Sequence, residues 1–161
     1  MAEGLGNVKY ITETEICTTQ TVTKSHVYTA LGYPNSQNKK VDNNNKRVSG
    51  VILPYSATAL DETDSMALER KLDITGDDHI YIKFRKYSKN AITGNKVKSI
   101  KPQGISGGAL IDLGNIANLD NLAKPSNGGC LIGLLIEHDS EYKAMVATRM
   151  SVILREIKQR V

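Results

Sequence analysis

The stretch Lys101-Pro102-Gln103-Gly104-Ile105-Ser106-Gly107-Gly108-Ala109-Leu110 holds the one set of residue types whose spacing points to chemistry rather than packing. Ser106 stands between Gly104 and the Gly107-Gly108 pair, and an apolar run follows. Glycines crowd a serine where the backbone turns tightly and presents its amides outward. Such amides can hold the oxyanion of an acyl-transfer intermediate, with the serine oxygen beside them as nucleophile. The same spacing also suits a glycine-rich turn between two strands, and both readings stand at this level.

The elements that must position this loop are short strands. His26–Leu31 alternates and is β-prone, and it ends at the turn residues Gly32-Tyr33-Pro34. Glu13–Thr23 is rich in threonine and reads as an extended connector or edge strand. Gln37–Arg47 reads as a solvated loop or hairpin tip, and Arg47–Tyr55 as a strand that Pro54 ends or confines to an edge. Asp64–Leu72 fits a short helix capped by Asp64 or Ser65, with Met66, Leu68 and Leu72 on one face; a strand-and-loop excursion fits as well. His79–Arg85 alternates strictly, which predicts Ile80, Ile82 and Phe84 inward and His79, Tyr81, Lys83 and Arg85 outward.

After a Gly94-Asn95 turn and the serine loop, Ala109–Asp112 is a short strand. Residues 114–129 read as a surface loop, Cys130–Ile136 as a buried strand, and Glu137–Tyr142 as a charged turn. Ala144–Ala147 is the last strand. Ser151–Val161 reads as an amphipathic helix capped by Ser151, with late basic residues at the negative end of its dipole. Met1–Asn7 is expected to be poorly ordered, and Val8–Ile11 to be a short β-prone piece. About six short strands with one closing helix predict an all-β barrel or sandwich.

Bulk properties narrow the classes. The chain has 161 residues, the size of one domain, and is 40% hydrophobic and 24% charged. With one Phe and no Trp, the core must rely on aliphatic residues. The formal charge of +4 is small, and the basic residues read as spread along the chain, so nucleic-acid binding is not indicated. Cys17 and Cys130 are far apart and too few for a zinc cluster, so they are expected to be buried free thiols in a reducing compartment. Met1–Asn7 lacks the basic start and apolar run of a signal peptide, and no apolar run approaches membrane-spanning length. A cytoplasmic protein without membrane, metal or cofactor is the expectation.

The order of these features resembles the second barrel of a trypsin-like (chymotrypsin-fold) serine protease. The residues that carry the likeness are Leu31-Gly32-Tyr33-Pro34 at a strand end, Gly104-Ile105-Ser106-Gly107-Gly108 before an apolar strand, and Leu131-Ile132-Gly133-Leu134-Leu135-Ile136 before the final strand and helix. The likeness covers residues 24–161, with residues 1–23 left as an extended segment or remnant of a first barrel. It implies a six-stranded antiparallel Greek-key barrel with a C-terminal helix. It also implies a serine endopeptidase acting on polypeptides through an acyl-enzyme at Ser106. The Gly104 and Ser106 amides would form the oxyanion hole, where each donor is worth about 2.7–4 kcal/mol of barrier. Gln103 and Ile136 would border the substrate pocket. Ile105 stands where secreted members have an aspartate, so activation by a new N-terminus is not expected.

The likeness lacks the family's histidine base and orienting aspartate, which lie in the first barrel. His26 and His79 read as exposed strand residues, and His138 as part of a charged turn near the pocket. The chain then reads as the serine-bearing half of a protease completed by a second chain or segment, or as a non-catalytic protease-like binding module. A Gly-x-Ser-x-Gly elbow of the lipase type also fits the five residues. That elbow follows a buried strand and opens a helix, and Lys98–Pro102 is a poor buried strand.

Overall fold

The structure is a computed structural model and describes residues 11–36, 41–42, 47–48, 50–89, 93–115 and 129–160. The expectations for Met1–Asn7 and for most of the two polar loops, 37–47 and 114–129, lie outside these residues.

In chain order the strands are β1 (His26–Gly32), β2 (Val41–Asp42), β3 (Arg47–Val48), β4 (Leu53–Ala57) and β5 (His79–Lys83). They continue with β6 (Tyr87–Lys89), β7 (Lys96–Lys98), β8 (Ala109–Asn115), β9 (Cys130–Asp139) and β10 (Ala144–Arg149). The helices are α1 (Glu62–Leu72) and α2 (Met150–Arg160). One six-stranded sheet runs in the order β4-β1-β8-β9-β10-β5, with every neighbouring pair antiparallel. The chain just past β4 then meets β5. Ala59 bridges Ile82, the Leu60 amide donates to the Tyr81 carbonyl at 2.9 Å, and the Lys83 amide donates to the Thr58 carbonyl at 3.0 Å. These bonds join the two edges of the sheet.

Alternation explains what fills the inside. Tyr28 and Ala30 of β1, Ile80 and Ile82 of β5, and Met145 and Ala147 of β10 share one buried cluster with Leu110, Leu135 and Ile105. Tyr28 and Tyr55 supply bulk that the aliphatic composition lacks. The Tyr28 hydroxyl is satisfied within the fold, donating to the Thr23 carbonyl and accepting from the Thr23 amide.

A second cluster lies outside the sheet. Tyr81, Ala144 and Val146 face Leu60 and Leu68, so α1 covers this part of the outer surface. Tyr81 is therefore buried, not on a solvent face as strict alternation predicts. Periodicity reports which residues share a face, but a helix laid on that face decides whether it is wet.

The α1 boundaries also differ from expectation. Its N-cap is Asp61, whose carboxylate makes no capping bond and pairs instead with Lys83 at 2.8 Å. Met66 stays exposed, while Leu68 is fully buried. Asp73 closes the helix in the left-handed region at φ 54°. The helix is tied to the β9–β10 turn by Lys71, which reaches Asp139 at 2.6 Å and Glu141 at 2.8 Å.

Further differences follow from register. Pro54 does not end the strand but lies within β4 at an end of the sheet order, the edge position expected as the alternative, where it is tolerated because β4 itself pairs only with β1. Glu137, His138 and Asp139 continue β9 rather than forming the turn, and Ser151 lies inside α2 rather than capping it. The N-terminal connector is fastened to the sheet. Ile16 bridges Leu131, and Cys17 forms a disulfide with Cys130, with their Cα atoms 5.8 Å apart. The free-thiol expectation is overturned, and the cytoplasmic placement drawn from it loses that footing. No helix among the described residues is long and apolar enough to cross a membrane.

Candidate functional site

The serine loop is two tight turns in succession. The Ile105 amide donates to the Pro102 carbonyl at 3.0 Å, and the Gly108 amide donates to the Ile105 carbonyl at 2.9 Å. The third residue of each turn has a positive φ, 86° at Gly104 and 83° at Gly107. That geometry belongs to type II turns, and it explains a glycine on either side of Ser106. Gly108 answers a different need. A side chain there would run into the Leu31 and Ile105 carbonyls, so its absence lets β8 start against β1.

Ile105 points inward and is buried in the main cluster. It packs directly on Gly32, where a Cβ would collide with its side chain. The residue before Ser106 is thus a core anchor, which a charged residue could not be at this depth. The anchor holds the loop, and Ser106 itself is exposed.

The Gly107 amide donates to the Leu135 carbonyl at 2.8 Å, and the Leu135 amide donates back to Gly108 at 2.8 Å. These bonds set the loop beside the end of β9. The Ser106 hydroxyl donates to the Ile136 carbonyl at 2.8 Å. The Gly104 and Ser106 amides have no hydrogen-bond partner among the described residues. They remain available to an oxyanion. Gln103 is exposed, and its carbonyl accepts from the Asn35 amide at 2.8 Å. Ile136 is exposed, and its carbonyl is what holds the serine oxygen.

Two recesses flank the loop. One, of about 280 Å³, is lined by Gln103, Gly104, Ser106, Ile136, His138 and Ser140, among others. The structure thus brings together all four residues singled out from the sequence. The second recess, of about 370 Å³, lies between the loop and the end of β1, with Tyr33 and Ile52 on its wall. Tyr33 and Ile52 are each about half exposed there.

None of the histidines is hydrogen-bonded to Ser106 among the described residues. His138 lines the first recess, but its ring packs edge-on against Phe84 with centroids 4.8 Å apart. Its Nε2 is buried without a hydrogen-bond partner among the described residues. Burial holds its pKa below the usual histidine value, against the opposing pull of the Asp139 charge. A charged turn residue is therefore the wrong description of His138. His79 is half-buried, with Nδ1 3.1 Å from the Thr75 carbonyl.

His26 is not the exposed strand residue that its position suggests. Its Nδ1 lies 2.8 Å from the carboxylate of Asp112, which is buried. This is the arrangement by which a carboxylate orients an imidazole. The pair sits at the start of β1, whereas the serine loop meets β1 at Leu31 and Gly32. His26 and Gly32 are six residue steps apart, roughly 20 Å along the strand, so this imidazole cannot take the Ser106 proton. Nothing local in the sequence marks the pair, because the partners are 86 residues apart. No family model and no curated protein matches this chain.

Proposed function

We propose that this chain is the serine-bearing half of a trypsin-like serine endopeptidase. Its six-stranded Greek-key barrel would present Ser106 as nucleophile and the Gly104 and Ser106 amides as oxyanion donors. The observation that carries this reading is the double turn around Ser106. It leaves both amides without a partner among the described residues, beside an exposed hydroxyl, on a loop anchored by buried Ile105. The strand order and the bridge from Ala59 to β5 support the barrel. In the proposed reaction Ser106 Oγ adds to the scissile carbonyl, its proton passes to a base, and the amine leaves with that proton. The base and its orienting carboxylate would come from a second chain or segment. The half-exposed Tyr33 and Ile52 beside the loop are suited to receive it.

A second reading is favoured by one contact: the Ser106 hydroxyl donates its hydrogen bond to the Ile136 carbonyl, which cannot act as a base. On that reading the chain is a non-catalytic protease-like binding module. Intact-mass analysis after fluorophosphonate treatment separates the two. An adduct that maps to Ser106 and disappears in Ser106→Ala means an assembled triad. Folded protein that stays unlabelled, alone and with its co-purifying chains, selects the binding module.

A further inference from the structure

The charge of this chain is segregated in a way the whole-chain total conceals. Between Lys83 and Lys101 the sequence carries seven Lys or Arg residues and no Asp or Glu. Without those seven the net charge of +4 would be −3. The net positive charge is therefore concentrated in this segment, although Lys and Arg occur along the whole chain.

The fold sets part of this segment along one wall of a cleft. The β6–β7 hairpin stands against β4 and β5, and the space between holds about 590 Å³. Lys83, Arg85 and Lys96 line it together with Tyr87 and the hydroxyl-bearing Ser56 and Ser88. Lys83 is neutralised by Asp61. Arg85, Lys86, Lys96 and Lys98 are exposed and have no carboxylate partner among the described residues. Tyr87 lies opposite Lys98 in the hairpin register, and Lys96, two residues away, shares that face. The Lys96 ammonium stands 4.9 Å from the Tyr87 ring centre, and Lys86 stands 5.9 Å away.

We infer that this cleft binds single-stranded nucleic acid, with phosphates on Arg85 and Lys96 within it and on Lys86 and Lys98 beside Tyr87, and a base on the ring of Tyr87. Unneutralised like charges on one hairpin repel each other, and a polyanion removes that cost. The exposed ring selects the class of polyanion. Aromatic rings among cations stack on unpaired bases, which a duplex withholds and an acidic peptide lacks. The cleft shares no lining residue with either recess at Ser106, so the inference stands apart from the protease reading.

The test is fluorescence anisotropy with a labelled oligothymidylate of about a dozen nucleotides. Four phosphate contacts on a single strand give a log–log salt slope of about −2.8, or about 50-fold weaker binding on going from about 50 to 200 mM salt. Arg85→Glu with Lys96→Glu should lower affinity about tenfold or more. Tyr87→Ala should lower it about fivefold or more with the slope unchanged, which keeps the inference testable if the charge reversal disturbs the hairpin. The inference is overturned by no binding at low salt. It is also overturned if polyglutamate competes as well as the oligonucleotide, or if Lys158→Glu with Arg160→Glu on α2 weakens binding as much.

Discussion

Gly107 and Gly108 are neighbours with opposite reasons for being glycine, and substituting each by alanine tests the geometry of the serine loop. Gly107 has a φ of 83°, and a methyl group there would meet nothing within 4 Å. Its replacement costs only the strain of a left-handed backbone, about 1–2 kcal/mol. At Gly108 a methyl carbon would stand 2.8 Å from the Ile105 carbonyl oxygen and closer still to that of Leu31. Carbon–oxygen contacts need about 3.3 Å, so β1 and β8 must part or the loop must lift. Overpacking of this kind costs about 1–3 kcal/mol. Weakening the Gly108–Ile105 and Leu135–Gly108 hydrogen bonds adds about 1 kcal/mol. Gly108→Ala should therefore lose about 2–4 kcal/mol, and for a chain of this size each kcal/mol lowers Tm by about 2–4 °C. Urea and thermal unfolding of both variants, followed by circular dichroism, give the comparison. A Gly108→Ala protein no less stable than Gly107→Ala would refute the close approach of the loop to β1, and with it the placement of Ser106.

Two further outcomes follow from the same structure. The Cys17–Cys130 bond closes a loop with a sequence separation of 113, for which loop-closure entropy gives about 5 kcal/mol at room temperature. Reduction, or Cys17→Ser with Cys130→Ser, should lower the urea midpoint accordingly, and an unchanged midpoint with and without reductant would show that no such bond staples the fold. His138 has its pKa depressed by burial, so the unfolded chain takes up a proton near pH 6.5 before the native one does. Its contribution to stability is full above that pH and is lost as pH falls through the folded-state pKa. His138→Phe, which keeps a ring against Phe84, should flatten the stability profile below pH 6.5; an unaltered profile would rule out a buried neutral imidazole.

Much of the scaffold is legible along the chain because the signals are local. Ile80 and Ile82 alternate, Leu131–Leu135 is unbroken, and the residues after Met150 repeat with helical spacing. Each of these marks its element without reference to any other part of the chain. The glycines around Ser106 are local signals too, since a positive φ leaves its mark on residue type wherever it occurs. Other features are contacts between segments that no local pattern specifies. The Cys17–Cys130 bond and the His26–Asp112 pair depend on which strands become neighbours and in what register. Tyr81 alternates like a solvent-facing residue and is buried because α1 lies across it. The basic run from Lys83 to Lys101 can be counted in the sequence, but folding sets Lys83, Arg85 and Lys96 together on the wall of a cleft. Residue types and spacing marked the strands of the main sheet, the closing helix and the serine turn, but not the β6–β7 hairpin or the break between β3 and β4. Tertiary structure alone decided which histidine meets a carboxylate, how far that pair lies from Ser106, and where the charge gathers, because those are distances across the sheet between residues remote in sequence.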